Sequence, residues 1–427
     1  MAPLVVRGAR PYGGEPIDLV VADGVVVDRC APGQGTGQVI EAEGLILLPG
    51  LVDLHTHLRE PGKEDAETVL TGSQAAALGG YTAVHAMANT DPVADTAGVV
   101  EQVWQLGQRT GLVDVRPVGA VTVGLAGEAL AELGAMASSP AQVRIFSDDG
   151  KCVFDPLVMR RALEYVKAFD GIIAQHAQEP RLTQGAQMHE GVLSGRLGLA
   201  GWPAVAEESI IARDVLLAEH VDSCLHVCHV STAGSVEVIR WAKARGIKVT
   251  AEVTPHHLIL TEDLVQGYDP VYKVNPPLRT QEDVQALRLG LADGTIDAIA
   301  TDHAPHPRQD KDCEWSAAAF GMLGLQTALC VAIAAMLETG LLDWHGLADR
   351  MSVRPARIGG LRNQGQDLQV GSSANLCLVD PDAKWQVEPH LLASKSQNTP
   401  YAGLTLPGRV VHVLFGGRPT VLDGALA

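Results

Sequence analysis

Eight short apolar or β-branched runs punctuate the chain, at residues 51–57, 82–87, 115–123, 143–146, 171–176, 224–230, 248–253 and 297–301. The stretches between them, such as 155–168 and 234–244, mix apolar and charged positions at helical spacing. This alternation predicts an α/β architecture in which eight parallel strands close into a (β/α)8 TIM-like barrel with helices outside. The runs are short and end in polar residues, which separates them from buried helices.

Both ends of the chain read differently. Residues 17–28 form two β-branched runs joined by Asp23-Gly24, a pair suited to the left-handed positions of a tight hairpin. Residues 374–380 and 410–418 again read as strand, turn and strand. Unpaired strand edges at each end favour pairing with one another. The expectation is therefore one small β-sandwich made of residues 1–48 and 365–427, flanking a barrel of residues 49–364. The longest apolar run, 328–337, has ten residues where a membrane span needs about 20, so it is expected to be a buried barrel helix.

Composition narrows the function. With 427 residues and 46% hydrophobic content, the chain can bury a sizeable core. A formal net charge of -18, without a basic run or an aromatic stacking platform, argues against nucleic acid and against an anionic membrane surface as partners. An anionic substrate then needs a local basic pocket, for which Arg59 is the first candidate. The seven cysteines are scattered, odd in number and lack zinc-ribbon spacing, and residue 1 onward shows no signal-peptide pattern. Reduced thiols in a cytoplasmic enzyme fit that usage.

The candidate chemistry sits at the tips of the apolar runs. His55 and His57 lie at i and i+2, so on a strand both point the same way and can grip one cation. Asp53 falls on that face, placed to orient a ligating imidazole. Further along come Asp148 and Asp149, then His176, then His226 and His229, then Asp302, His303 and His306. Hydrogen-bonded core histidines would have to produce the same coincidence at five strand ends, whereas a metal site at the top face of a barrel requires it. Cys228 faces away from His229 on a strand and is expected to pack in the core.

These segments carry a resemblance. Asp53-Leu54-His55-Thr56-His57-Leu58-Arg59-Glu60-Pro61-Gly62, Ser147-Asp148-Asp149-Gly150, His229-Val230-Ser231-Thr232, Asn275-Pro276-Pro277-Leu278-Arg279 and Asp302-His303-Ala304-Pro305-His306 resemble bacterial class I dihydroorotases of the amidohydrolase superfamily. The likeness spans nearly the whole chain. It implies reversible hydrolysis of L-dihydroorotate to N-carbamoyl-L-aspartate in de novo pyrimidine (UMP) biosynthesis. It implies one or two zinc ions, two favoured: His55, His57 and Asp302 on the first, His176 and His229 on the second, and Asp149 bridging. Asp302 would also be the catalytic acid and base. Arg59, with Asn89 and His306, would take the substrate carboxylate, Asn275 would meet the ring, and Phe320 and Gly321 would close over it. Ala88 and Ala319 stand where relatives often have proline.

Two other readings compete. A hydantoinase or allantoinase would hydrolyse a related cyclic amide on the same barrel but needs a different carboxylate pocket. An inactive scaffold partner of aspartate carbamoyltransferase would have lost metal ligands, and here all six positions are filled. A homodimer and a complex of the active enzyme with that transcarbamoylase are left open.

Overall fold

The computed structural model describes residues 3–427. Eight strands carry the barrel: Leu51–Thr56, Tyr81–Ala86, Asp114–Pro117, Ile145–Phe146, Ile172–Gln175, Leu225–Val227, Val249–Val253 and Ala298–Ile299. The first three pair as one sheet and the last five as another, every pair parallel. Parallel bridges Gly119↔Phe146 and Thr56↔His303 join the two groups at both seams and close the ring. Each run expected to be a strand overlaps one. The third leaves the sheet after Pro117, short of the expected 123, because the N–H groups of Val121 and Thr122 donate to Asp148 Oδ1 (2.8 and 2.9 Å) rather than to a neighbouring strand.

The helices form where side chains can finish what the backbone leaves open. Helix Pro156–Val166 starts at Asp155, whose carboxylate accepts from the N–H groups of Leu157 and Val158, and helix Ala233–Ala244 starts at Thr232, whose hydroxyl accepts from that of Ser235. First-turn donors have no partner within the helix, and such a cap contributes about 1 kcal/mol. Met159, Ala162, Leu163 and Val166 on one helix, and Val236, Ile239 and Ala242 on the other, recur at i+3 and i+4 and turn one face to the strands. The 328–337 run is buried as expected; it begins as an α-helix, Ala328–Ala332, and widens into a π-turn over Ile333–Leu337. Among the described residues, no helix is long and apolar enough to cross a membrane.

Segments from both ends of the chain share one nine-stranded sheet. Ile46–Pro49 pairs antiparallel with Leu376–Gln386, in a register running from Pro49↔Leu376 to Ile46↔Val379. Leu4–Pro11 is the hinge of that sheet. Its first half pairs with Ile17–Ala22 and with Gln38–Glu41, while Arg10 and Pro11 pair with Ile46 and Leu47. The sheet thereby wraps a single apolar cluster to which Val6, Leu19, Val21, Leu47, Leu376 and Leu414 all belong. The predicted hairpin turn is present, with Asp23 at φ 49 and Gly24 at φ 81. Gly50 joins this sheet directly to the first barrel strand. A Cβ there would stand 2.3 Å from Thr82 Oγ1, so only glycine lets the two strands approach this closely.

Candidate metal centre and substrate cavity

The barrel gathers the six expected ligands into two overlapping groups, His55, His57, Asp149 and Asp302 in one and Asp149, His176 and His229 in the other, all buried. Asp149 belongs to both. Its Oδ2 lies 3.3 Å from His55 Nε2 and 3.2 Å from His57 Nε2, while its Oδ1 lies 3.1 Å from both His176 Nδ1 and His229 Nε2. Asp302 Oδ1 faces the first pair, 3.1 Å from His57 Nε2 and 3.5 Å from His55 Nε2. Asp148 turns the other way, to Val121 and Thr122, and takes no part.

Outer contacts decide which ring nitrogen faces inward. His55 Nδ1 donates to Glu252 Oε1 (2.7 Å), His57 Nδ1 to Asn89 Oδ1 (2.8 Å) and His176 Nε2 to Gln178 Oε1 (2.7 Å). Each opposite nitrogen then offers a lone pair to the cluster. His55 Nε2 is buried with no hydrogen-bond partner, and the His176 Nδ1 lone pair sits 2.9 Å from His229 Nε2. Lone pairs and ionised carboxylates crowded at these distances repel unless cations lie among them. An imidazole and carboxylate donor set of this kind suits zinc, so the residues present fit the metal. Burial alone would raise the carboxyls of Asp149 and Asp302, but positive charge among the facing imidazoles, at His55 foremost, holds both below the ordinary carboxylate range.

Glu252 was not anticipated. Asp53 was expected to orient a ligand imidazole, but its Oδ1 instead accepts the backbone N–H groups of His55 and Thr301 (both 3.0 Å), tying the first barrel strand to the last. The orienting carboxylate comes from the seventh strand. Burial would raise it, but hydrogen bonds from His226 (Nε2 to Oε2, 3.0 Å) and His55 bring Glu252 down to about 2. His226 is therefore a partner of Glu252 and not a ligand. His303 is likewise structural, lying 3.3 Å from Glu67. The signal for Glu252 was an acid within a largely buried strand, 249–253, where only a paired carboxylate is tolerated.

Beside the cluster lies a cavity of about 240 Å3 whose wall includes all six positions expected to meet substrate, together with His57, Asp149, His176 and Asp302. Arg59 donates through Nε to Pro305 O (3.1 Å). Burial lowers its guanidinium to about 10, still cationic at neutral pH. His306 is pushed down to about 3 by burial and by Arg59, so it is neutral; its Nε2 lies 2.8 Å from Phe320 O and 3.4 Å from Arg59 Nη2. Asn275 Nδ2 donates to Gln178 Oε1 (3.1 Å), and Asn275 Oδ1 is buried without a partner. Gln178, also unanticipated, thus connects a metal-facing imidazole to the cavity wall.

Arg59, His229 and Asp302 hold left-handed backbone angles, with φ at 64, 31 and 46. Non-glycine residues in that region cost on the order of 1–3 kcal/mol each and persist only where the surroundings enforce them. All three follow directly on barrel strands or their extensions, where the chain must turn sharply to aim a side chain across the barrel mouth.

The ring of parallel strands, with imidazoles and carboxylates converging at its C-terminal rim in a cluster compatible with metal binding, defines an amidohydrolase. Solved structures agree: an L-hydantoinase (dihydropyrimidinase) from Arthrobacter aurescens superposes with a TM-score of 0.89 at 26% identity, covering 100% of this chain and 98% of that one. A dihydropyrimidinase from Brevibacillus agri matches the fold at TM-score 0.86 and 21% identity, over 100% of this chain and 96% of that one. A dihydro-orotase-like family model matches residues 44–235. A dihydroorotase of Streptomyces coelicolor is 66% identical over 428 residues, covering 100% of both chains, and one of Mycobacterium tuberculosis is 57% identical over 428 residues, covering 99% of both. The chain belongs to the dihydroorotase family, and it is a hydrolase of cyclic amide C–N bonds.

Proposed function

We propose that the chain interconverts L-dihydroorotate and N-carbamoyl-L-aspartate with zinc, two ions favoured, held by His55, His57 and Asp302 on one side, by His176 and His229 on the other, and by Asp149 between them. The observation that carries this reading is the division of the Asp149 oxygens between the two imidazole pairs. Zinc, when bound, supplies an acidified water and polarises the scissile carbonyl.

The rest is the work of the chain's own residues. Arg59 takes the exocyclic carboxylate on its planar fork, and Asn89, whose Oδ1 is engaged by His57, has its amide N–H groups left for the same group. Asn275 Oδ1 accepts a ring N–H, which gives that buried acceptor its partner. Asp302, kept ionised beside His57, removes the proton of the attacking water. As the water oxygen bonds to the carbonyl carbon and the ring C–N bond breaks, it passes that proton to the departing nitrogen. Phe320 and Gly321 close the cavity with backbone groups, held by His306 and by Lys273 O, which accepts from Gly321 N–H at 2.9 Å.

The same proposal divides the chain into a barrel of residues 49–364 and a β-domain of residues 1–48 and 365–427, supported by the pairing of Ile46–Pro49 with Leu376–Gln386. It places the enzyme in the cytoplasm, in keeping with its seven free cysteines. A homodimer and a complex with aspartate carbamoyltransferase are the assemblies to look for, by light scattering on the chain alone and mixed with the transcarbamoylase.

The test is turnover by purified protein. Strong chelation should abolish hydrolysis of dihydroorotate and zinc should restore it, while hydantoin and allantoin react far more slowly. Full activity in protein shown to be metal-free, or faster turnover of hydantoin, would overturn the reading.

A further inference from the structure

Two cavities larger than the substrate cavity lie at the other end of the barrel, one of about 420 Å3 and one of about 470 Å3. Arg144 immediately precedes the fourth barrel strand, whereas Asp149 follows it, so Arg144 and the metal centre lie at opposite ends of that strand. Arg144 and Arg362 line both; Arg116 completes the first and Arg357 the second. A chain of net charge -18 has thus placed four guanidiniums around two cavities that share Arg144 and Arg362 in their walls.

Only part of that charge is neutralised within the protein. Arg116 pairs with Asp114 at 3.0 Å and Arg144 with Asp170 at 2.9 Å. Among the described residues, no carboxylate lies within ion-pairing distance of Arg357 or Arg362. Arg144 Nε is buried and has no hydrogen-bond partner. Glycines let the side chains of this wall pack directly on the backbone: a Cβ at Gly360 would stand 2.4 Å from Arg144 Cδ, and one at Gly359 2.6 Å from His85 Cε1. The side-chain amides of Gln142 and Asn363 add polar groups to the first cavity.

We propose that this arginine-lined cavity is a binding site for a small phosphate-bearing anion, distinct from the substrate site. Guanidinium forks pair bidentately with phosphate oxygens, and three of them converging with two amides match its several acceptors. Neither cavity has a Phe, Tyr or Trp in its wall, and the occupant we assign is a free phosphate or a phosphorylated sugar-like molecule.

Titration calorimetry on the zinc-loaded full chain, with the substrate site saturated by N-carbamoyl-L-aspartate, tests this with inorganic phosphate and ribose 5-phosphate as probes. At about 0.15 M ionic strength, where loose surface attraction is screened, one equivalent should bind saturably. Arg362→Gln, an exposed position that folding does not depend on, and Arg144→Gln should each weaken binding about tenfold or more, the loss expected for a charge-assisted hydrogen bond. Hydrolysis of dihydroorotate should be unchanged in Arg362→Gln. Tighter binding of ribose 5-phosphate than of phosphate assigns the remaining space to an attached sugar, and equal binding assigns the site to free phosphate. No saturable binding of either probe, or equal affinity in wild type and Arg362→Gln, overturns the proposal.

Discussion

Asp148 and Asp149 are adjacent and both buried, yet their surroundings give them opposite duties. Asp149→Ala should lower zinc content sharply, because one carboxylate faces both imidazole pairs. Asp148→Ala should keep most of the zinc and instead destabilise the fold by about 1–3 kcal/mol, the cost of leaving the Val121 and Thr122 N–H groups unpaired. Metal analysis with urea unfolding on both variants checks this, and the reverse pattern of zinc loss would show that the wrong acid was chosen. Arg59→Met should retain zinc yet cut kcat/KM for dihydroorotate by about 1.5–3 kcal/mol, the range for a lost charge-assisted hydrogen bond. A cyclic amide without the carboxylate should lose much less. Equal losses on both substrates would mean that Arg59 serves only to hold Pro305, its present partner.

At the scale of elements, the segment that closes the cavity is secured by two buried lysines. Lys311, at the end of the short helix Arg308–Lys311, donates to the carbonyls of Pro270, Lys273 and Ala319 at 3.0, 3.0 and 2.7 Å. Lys273 donates to Trp315 O at 2.7 Å, and its ammonium stands 4.6 Å from the centre of the Phe320 ring. Burial, and then Lys273, push Lys311 from 10.5 down to about 7. Between those values the unfolded chain keeps a proton that the folded chain has released, so this group makes stability rise with pH across that window, by up to about 1.4 kcal/mol per pH unit. Below it both states are protonated and the slope vanishes. Urea unfolding at neutral pH and at about pH 9 should therefore show a smaller rise in Lys311→Met than in wild type; parallel changes would refute the assignment. Sequence periodicity revealed the strands and helices that carry the site, because burial imposes one repeat on a strand and another on a helix. It did not reveal these lysines or Glu252, whose partners are carbonyls and rings elsewhere along the chain, nor Gln178, which bonds the ring of His176 two residues before it but gains its place in the cavity wall from Asn275, far along the chain. The clustering of the expected ligand positions was legible because strand tips in a barrel converge whatever loops intervene.

For the whole molecule, the junction at Gly50 decides whether the terminal sheet and the barrel behave as one body. Its N–H donates to Asn375 O at 2.8 Å and its carbonyl accepts from Ser352 Oγ at 2.6 Å, so three distant parts of the chain meet at one residue. Gly50→Ala forces a methyl onto Thr82, a clash with little room to relax, and overpacking of that kind costs about 1–3 kcal/mol. Calorimetry should show a lower unfolding midpoint, and a wild-type midpoint would mean that the strands separate freely there.

The pairing of Ile46–Pro49 with Leu376–Gln386 also sets a timetable. A ribosome adding about 5–20 residues per second makes the first of these strands early and the second only after the entire barrel. For tens of seconds the nascent sheet has an open apolar edge, with Leu47 and Leu48 uncovered, while the barrel strands that follow are already able to fold. Such an edge is a template for any passing strand, including that of another nascent copy. Slowing synthesis late in the message would lengthen that exposure and should lower the yield of folded enzyme.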